Sequence, residues 1–427
     1  MVPITSFWRK ATYNFNIDPK SVTISGFSSG GAFAHQFHVI HSSLVNGVGV
    51  FGGATYNFNI DPKSVTISGF SSGGAFAHQF HVIHSSLVNG VGVFGGAPYR
   101  CFAGSIWVSL CRLLPFLTAV ERVQRQAVRD AEMGRIDDLR GLADDKVFIF
   151  HGKKDLVIRP GNGRNVEKFY NTFTADRSNI KAVYDDKAAH VFPTKYRGNA
   201  DCGMLFFPGL FLGEAFVRGC DYDAVYEMFR HFYGPPAMVH RRDANRGKLI
   251  KFDQKSLFPK YSSMDKTGFA YIPSRCAFGF QCKLHIALHG CFGGRAFEDT
   301  IFPTRTEFAR WANEFGVIVI FPQVAPHLIP PNLFGCWDVS GYTGIREYAT
   351  RHAKQEKGAA EVPVYHPRYG LSVEESRCHS VPLSLDSIGM DGWLQMRGDL
   401  QSQRQSFIMP VDSHATYGLM SGTLWSS

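Results

Sequence analysis

The sequence lacks the features that usually mark membrane-spanning, nucleic-acid-binding and zinc-binding proteins. Its apolar runs stay shorter than the about 18 residues that span a bilayer, and the strongest, Met204–Gly213, is broken by Pro208. The net charge is +9, but Lys and Arg are spread along the chain without a basic block. The first ten residues lack an apolar core of signal-peptide length. We therefore expect no membrane span and no nucleic-acid partner, and no export signal is visible.

The nine cysteines include no C-x-x-C pair, which argues against a zinc site or a thioredoxin-like redox motif. Eight of them fall into short-range couples that could form disulfides, and Cys378 is left alone in the tail. The alternative is a set of buried free thiols. The proposed couples are Cys101 with Cys111, Cys202 with Cys220, Cys276 with Cys282, and Cys291 with Cys336.

Residues 11–53 and 54–96 are an identical tandem repeat of 43 residues. Solenoid repeats drift in sequence and usually need three or more units, so two perfect copies do not indicate a repeat fold. Each copy instead predicts a strand, a sharp turn, a helix and a second strand. In the second copy, Asp61-Pro62 indicates a turn and Ser64–Gly69 indicates the first strand.

Further along the chain, short apolar runs alternate with helical patterns, which predicts an α/β architecture with a mostly parallel sheet covered on both faces. The clearest helix should begin near Thr304, where Glu307 has capping-box spacing, and end at Gly316. We expect an N-terminal extension (1–53) with the spare copy, a catalytic domain (54–357) and a C-terminal extension of uncertain order (358–427).

Each repeat contains Gly-Phe-Ser-Ser-Gly, which fits the G-x-S-x-G nucleophile elbow. The candidate nucleophile is Ser71 in the second copy, or Ser28 in the first. A serine needs a base, and the base needs a carboxylate, in the chain order Ser, Asp, His for this kind of turn. Asp155 follows one apolar strand and His190 follows the next, so the three residues have the order and placement of a catalytic triad.

Two backbone amides are candidates for an oxyanion hole. The Ser72 amide lies at the predicted N-terminus of a helix, and the Cys291 amide follows a strand that ends in His289-Gly290. The strand that ends in His289-Gly290 normally precedes the nucleophile along the chain, whereas here it follows the nucleophile. The order predicts a circularly permuted α/β-hydrolase.

Several motifs occur in the order seen in one family: SVTISGFSSGGAFAHQFHVIHSS, NGVGVFGGAPYRC, HGKKDLVIRPG, AAHVFPT, CDYDAVYEMFRHFYG, IALHGC and GCWDVSGYTG. Over residues 54–350 the chain resembles secreted poly(3-hydroxybutyrate) (PHB) depolymerases of the permuted type. The resemblance implies the same triad and the same two oxyanion amides. It also implies that Trp337 contacts the polyester, supports the cysteine couples, and implies that the Cys291–Cys336 bridge brings Trp337 towards the serine.

The flanks of the two copies favour Ser71 over Ser28. The second copy runs directly into the family continuation that reaches Cys101, whereas use of the first would insert 43 residues there. The pair His78 and His81 has helical spacing, but no third metal ligand is in view, so a polar helix face is the better interpretation.

The hypothesis is a secreted, monomeric serine esterase that hydrolyses PHB-like polyester or short-chain hydroxyalkanoate esters through an acyl-enzyme, without metal or organic cofactor. One alternative is an esterase for acetyl or feruloyl groups on polysaccharide. Another is a non-catalytic product of duplication and truncation that keeps the triad residues without assembling them.

Overall fold

The computed structural model describes residues 22–27, 47–51, 60–104, 110–196, 200–203, 216–236, 247–277, 280–329 and 331–369, the last of these with side chains to 362. All of them belong to one unit, Met1–Glu374. In this part of the chain, no helix is both long and apolar enough to cross a membrane. Ser28, Cys378 and most of the C-terminal extension lie outside the described residues.

Twelve strands occur among the described residues. They are β1 Thr23–Phe27, β2 Gly47–Phe51, β3 Ile60–Phe70, β4 Gly90–Phe94, β5 Lys146–Gly152, β6 Ile180–Asp185, β7 Phe192–Thr194, β8 Val217–Gly219, β9 Gly247–Asp253, β10 Thr267–Pro273, β11 Cys282–Leu288 and β12 Val317–Phe321.

The helices of the same residues surround these strands. They are α1 Ser72–Ile83, α2 Leu110–Leu113, α3 Val120–Glu132, α4 Gly161–Phe173, α5 Ala224–Tyr233, α6 Ser274–Ala277, α7 Arg295–Glu298, α8 Ile301–Arg305, α9 Phe308–Phe315 and α10 Lys354–Tyr369, with short 3₁₀ turns at Pro115–Leu117, Leu139–Leu142 and Arg177–Asn179.

Eight strands form one mostly parallel sheet in the order β6-β5-β4-β3-β11-β12-β10-β9, in which β10 runs antiparallel to both of its neighbours, β12 and β9. Strand β3 lies near the middle, between β4 and β11, and pairs with both in parallel. The strands on its β11 side all come later in the chain. The sheet is therefore the permuted α/β-hydrolase arrangement that the motif order predicts.

Two apolar clusters cover the two faces of this sheet, because the buried strands carry large apolar side chains on both sides. Val91 and Ile286 belong to one cluster, and Phe94 and Phe321 belong to the other. The strands of the first repeat copy do not join this sheet. Strands β1 and β2 pair with each other in a separate two-stranded parallel sheet.

All four proposed cysteine couples are at disulfide distance, with Cα–Cα separations between 4.2 and 5.9 Å. The prediction of these couples is confirmed, and the alternative of buried free thiols is not. The Cys291–Cys336 bridge has the longest sequence separation, 45 residues.

The predicted helix near Thr304 is wrong in its start. The helix breaks into α8 and α9, and Glu307 between them adopts a left-handed conformation with φ of 63°. The Thr304 hydroxyl donates back to the Thr300 carbonyl instead of capping a helix, and a Glu307 carboxylate oxygen accepts from the Lys195 N–H. The predicted end at Gly316 is confirmed, also with positive φ.

At two other places the helices and strands extend past the boundaries that the sequence predicts, because of tertiary packing. The Asp61-Pro62 pair lies within β3, where the strand register shifts against β11, so the turn signal marks an irregularity and not a loop. Helix α10 crosses the expected boundary at residue 357. A side chain at Gly358 would collide with the ring of Phe258, and Ala359 is fully buried, so this part of the extension packs into the domain.

Candidate active site

Ser71 lies at the sharp turn between β3 and α1. Its φ of 57° and ψ of −119° place it outside the usual regions for a residue with a side chain, and its N–H donates to the Phe94 carbonyl at 2.9 Å. Glycines make this turn possible, since a Cβ on Gly69 would be 2.2 Å from the Gly73 carbonyl oxygen. The turn holds the hydroxyl at the C-terminal end of the central strand, and the residue is 8% exposed.

The loops after two neighbouring strands bring a histidine and an aspartate to this hydroxyl. Nε2 of His190 is 2.9 Å from Ser71 Oγ, and Nδ1 of the same ring is 2.7 Å from Asp155 Oδ2. Asp155 follows β5 and His190 follows β6, so adjacent parallel strands deliver both side chains to one edge of the sheet. The arrangement can pass the serine proton to the imidazole.

Asp155 is fixed from several directions. Its Oδ1 accepts from the Val157 N–H at 2.9 Å and from the Ile158 N–H at 2.8 Å, which leaves Oδ2 for the histidine. Burial alone would raise the pKa of this carboxyl. The positive character of His190 and hydrogen bonds from His151 and His190 outweigh burial and hold its pKa well below the usual range. The carboxylate therefore stays ionised beside the imidazole.

The two candidate oxyanion donors lie on neighbouring segments. A Cβ on Gly290 would be 3.1 Å from Ser71 Cβ, and one on Gly73 would be 2.3 Å from the His289 carbonyl oxygen, so the loop after β11 packs against the nucleophile turn. Within the described residues, neither the Ser72 nor the Cys291 backbone N–H donates to a protein acceptor. Both amides are available to an oxyanion.

Trp337 lies beneath these segments. Its backbone N–H is 3.4 Å from Ser72 Oγ, as expected from the bridge between Cys291 and Cys336. The indole itself is fully buried, with its ring 4.9 Å from Phe76 and 5.8 Å from His289. The contact between this ring and the polyester that the resemblance implies stays a prediction.

The interpretation of His78 and His81 as a polar helix face is wrong, because both are fully buried. His81 contacts Tyr170 Oη at 2.8 Å and Asp145 Oδ2 at 2.9 Å, while burial lowers the pKa of His78 to about 3. Among the described residues, no group of three His, Cys, Asp or Glu side chains is placed to hold a metal ion.

Sequence reasoning overlooked two histidines of the site. His151 lies at the end of β5, with Nε2 3.4 Å from Asp155 Oδ2 and 2.7 Å from the Ile158 carbonyl oxygen. His289 was noted only as part of a His-Gly pair. Its position immediately before Gly290 and Cys291 is the signal that could have indicated a role in shaping the loop.

Two curated relatives match most of the chain. A poly(3-hydroxybutyrate) depolymerase of Delftia acidovorans is 30% identical over 331 residues, which is 76% of this chain and 56% of that protein. A polyhydroxybutyrate depolymerase of Talaromyces funiculosus is 29% identical over 348 residues, 77% of this chain and 85% of that protein. The chain thus spans just over half of the first relative and most of the second. No protein-family model matches it.

Solved structures agree with these relatives. The PHB depolymerase of Penicillium funiculosum superimposes with a TM-score of 0.62 at 26% identity, covering 71% of this chain and 95% of that one. A PHB depolymerase variant complexed with an R3HB trimer gives the same values. The chain is therefore similar to PHB depolymerases both in sequence and in fold. Within this PHB depolymerase fold, the hydrogen-bonded serine, histidine and aspartate lie at the end of the nucleophile strand.

Proposed function

We propose that this chain is a serine esterase that hydrolyses PHB-like polyester, with Ser71, His190 and Asp155 as its catalytic triad. The observation that carries the proposal is the continuous hydrogen-bonded row from Ser71 Oγ through both nitrogens of His190 to Asp155 Oδ2, in a chain related to PHB depolymerases. No step of the proposed reaction requires a metal or an organic cofactor.

In the first half of the reaction, His190 Nε2 takes the proton from Ser71 Oγ as the oxygen attacks the ester carbonyl. The tetrahedral oxyanion is held by the N–H groups of Ser72 and Cys291, while Asp155 stabilises the imidazolium. The imidazolium then gives its proton to the leaving alkoxide, which departs as an alcohol and leaves an acyl-serine. Water attacks this ester with the same base and releases the acid and free Ser71.

The surroundings of the site support an apolar, polymeric substrate. The segment with exposed Leu113 and Phe116 is tied to the Asp155 loop, because Arg112 donates to the Val157 carbonyl. Exposed Ile329 lies on the loop that leads to the Cys291–Cys336 bridge. Such exposed apolar groups suit a polyester surface better than a polysaccharide ester. The named relatives likewise favour polyester over acetyl or feruloyl esters.

The test compares the parent with Ser71→Ala and Ser28→Ala variants on p-nitrophenyl butyrate and on PHB film. We expect Ser71→Ala to abolish both activities and Ser28→Ala to change neither, because the first-copy strands lie outside the main sheet. An inactive but folded parent would support the non-catalytic alternative. Activity on acetyl or feruloyl polysaccharide, without activity on film, would contradict the polyester proposal and favour the carbohydrate-esterase alternative.

We also propose that the chain folds in an oxidising compartment as a monomer. The four disulfide pairs support the compartment, since such bonds are rare in reducing cytosol. Non-reducing mass spectrometry of protein from culture medium and from cells, with light scattering for the mass, tests both statements. A fully reduced protein found only inside cells would contradict the first, and a dimer mass would contradict the second.

A further inference from the structure

His289 is a buried polar group that the mechanism above does not use. It is the residue after β11, it has no exposed surface, and it immediately precedes Gly290 and Cys291. Its two ring nitrogens contact two different loops. Nε2 accepts from the Val324 N–H at 3.0 Å, and Nδ1 is 2.7 Å from the Gly290 carbonyl oxygen.

These two contacts determine the tautomer. A backbone N–H can only donate, so Nε2 must carry the lone pair, and a carbonyl oxygen can only accept, so Nδ1 must carry the proton. A doubly protonated ring would direct an N–H at the Val324 N–H. Burial also lowers the pKa of His289 to about 4, which keeps the ring neutral near neutral pH.

The Nδ1–H bond acts on the peptide that joins Gly290 and Cys291. In a planar trans peptide the C=O and the following N–H point in opposite directions. A donor that holds the Gly290 carbonyl on the buried side therefore turns the Cys291 N–H to the other side of the loop. The Gly293 N–H also donates to this carbonyl, at 3.1 Å, and closes the turn, so two donors fix the same oxygen.

The peptide between Gly290 and Cys291 lies next to the nucleophile, so its orientation affects the active site. Gly290 packs so closely on Ser71 that even a methyl group there would approach Ser71 Cβ to 3.1 Å, and Gly73 packs on the His289 carbonyl. The Cys291 N–H has no acceptor among the described residues. A rotation of the peptide would remove that donor without changing the triad.

We propose that His289 is a positioning residue for the oxyanion hole, whose Nδ1–H holds the Gly290 carbonyl so that the Cys291 N–H is directed to the oxyanion. The proposal rests on the proposed function, in which Cys291 supplies one of the two oxyanion amides. Through Nε2 the same ring also joins the loop after β11 to the loop after the neighbouring strand β12.

Two conservative variants separate the two hydrogen bonds. In His289→Asn the side-chain amide N–H can occupy the place of Nδ1–H and donate to the Gly290 carbonyl, whereas nothing replaces Nε2. In His289→Gln the longer side chain can accept from the Val324 N–H, but it has no donor at the δ position. The Asn variant therefore keeps the bond that orients the oxyanion peptide, and the Gln variant loses it.

The experiment measures kcat and KM for p-nitrophenyl butyrate, and Ki for butylboronic acid, whose adduct with Ser71 places an oxygen in the oxyanion hole. We expect His289→Gln to lower kcat by about 10²-fold with little change in KM, because the lost interaction belongs to the transition state, and to raise Ki in parallel. We expect His289→Asn to keep kcat within about tenfold of the parent. His285→Gln, which removes another buried histidine earlier on β11, is the matched control and should lower stability while sparing kcat.

Equal kcat values for folded Asn and Gln variants would overturn the proposal, as would a Gln variant with parental Ki. If neither variant folds, neutron diffraction from the parent decides, since deuterium on Nε2 and not on Nδ1 of His289 would exclude the bond. An inactive parent would instead count against the proposed function, so the two failures are distinguishable.

Discussion

The carboxylate of Asp155 provides the most stringent test of the proposed triad, through the substitution Asp155→Asn. In the parent, Oδ1 accepts two backbone N–H bonds, from Val157 and Ile158, and Oδ2 faces His190 Nδ1. The two backbone donors force the asparagine oxygen into the Oδ1 place, because the opposite orientation would set its NH₂ against them. Each unmet donor would cost about 1–3 kcal/mol.

The orientation of the asparagine then reverses the tautomer of the His190 imidazole. Its NH₂ would donate to His190 Nδ1, so the ring proton would move to Nε2 and point at Ser71 Oγ. The ring could no longer accept the serine proton. We expect kcat to fall by about 10⁴-fold, or about 5.5 kcal/mol in the activation free energy, with the fold intact.

The assay is steady-state hydrolysis of p-nitrophenyl butyrate, with circular dichroism to verify folding. Asp145→Asn is the matched control, because Asp145 also pairs with a buried histidine outside the triad. Its Oδ2 is 2.9 Å from Nε2 of His81. We expect that control to keep kcat within a few-fold. A folded Asp155→Asn protein with kcat within tenfold of the parent would refute the role of this carboxylate.

Three other substitutions test the packing around the site. Gly73→Ala places a methyl group 2.3 Å from the His289 carbonyl oxygen, a backbone atom that cannot rotate away, so kcat should fall by about 10²-fold as the loop is displaced. Cys336→Ser opens the bridge to Cys291 across 45 residues and should cost about 4 kcal/mol in urea unfolding, with a lower kcat. Burial lowers the pKa of His285 to about 3, whereas the pKa in the unfolded chain is about 6.5. The unfolded chain therefore binds a proton that the folded protein does not, and stability is lost as the pH falls below about 6.5. This histidine should account for about 2 kcal/mol of the loss in unfolding free energy from pH 7 to pH 5, and His285→Gln should remove that share of the slope.

Each of these expectations has its own contrary outcome. Parental kcat in Gly73→Ala would mean that the oxyanion loop adapts without penalty. Cys276→Ser opens a bridge across only 6 residues and should cost about 2 kcal/mol, so an equal loss in both cysteine variants would contradict the loop argument. An unchanged pH slope in His285→Gln would mean that this ring is already charged in the folded protein.

The sequence alone determined the chemistry and its order along the chain. The Gly-x-Ser-x-Gly turn has to be read as a nucleophile elbow once β-branched residues precede it and a helical pattern follows, because few other residues tolerate that backbone. Asp155 and His190 could be proposed because parallel strands end at one edge of a sheet. The disulfide couples and the permuted strand order were likewise available from cysteine spacing and motif order.

Tertiary structure decided everything that depends on which surfaces meet. The helix break at Glu307 reflects its contact with the distant Lys195 N–H, and no local signal encodes that contact. His78 has the spacing of a solvated face, yet it is buried by residues far along the chain. The two repeat copies are identical and the flanking sequence favours the second, but only the fold shows that the strand of this copy lies between β4 and β11. The orientation of His289 depends on Val324 in the loop after β12, because a buried polar group must find its partner wherever the fold supplies one.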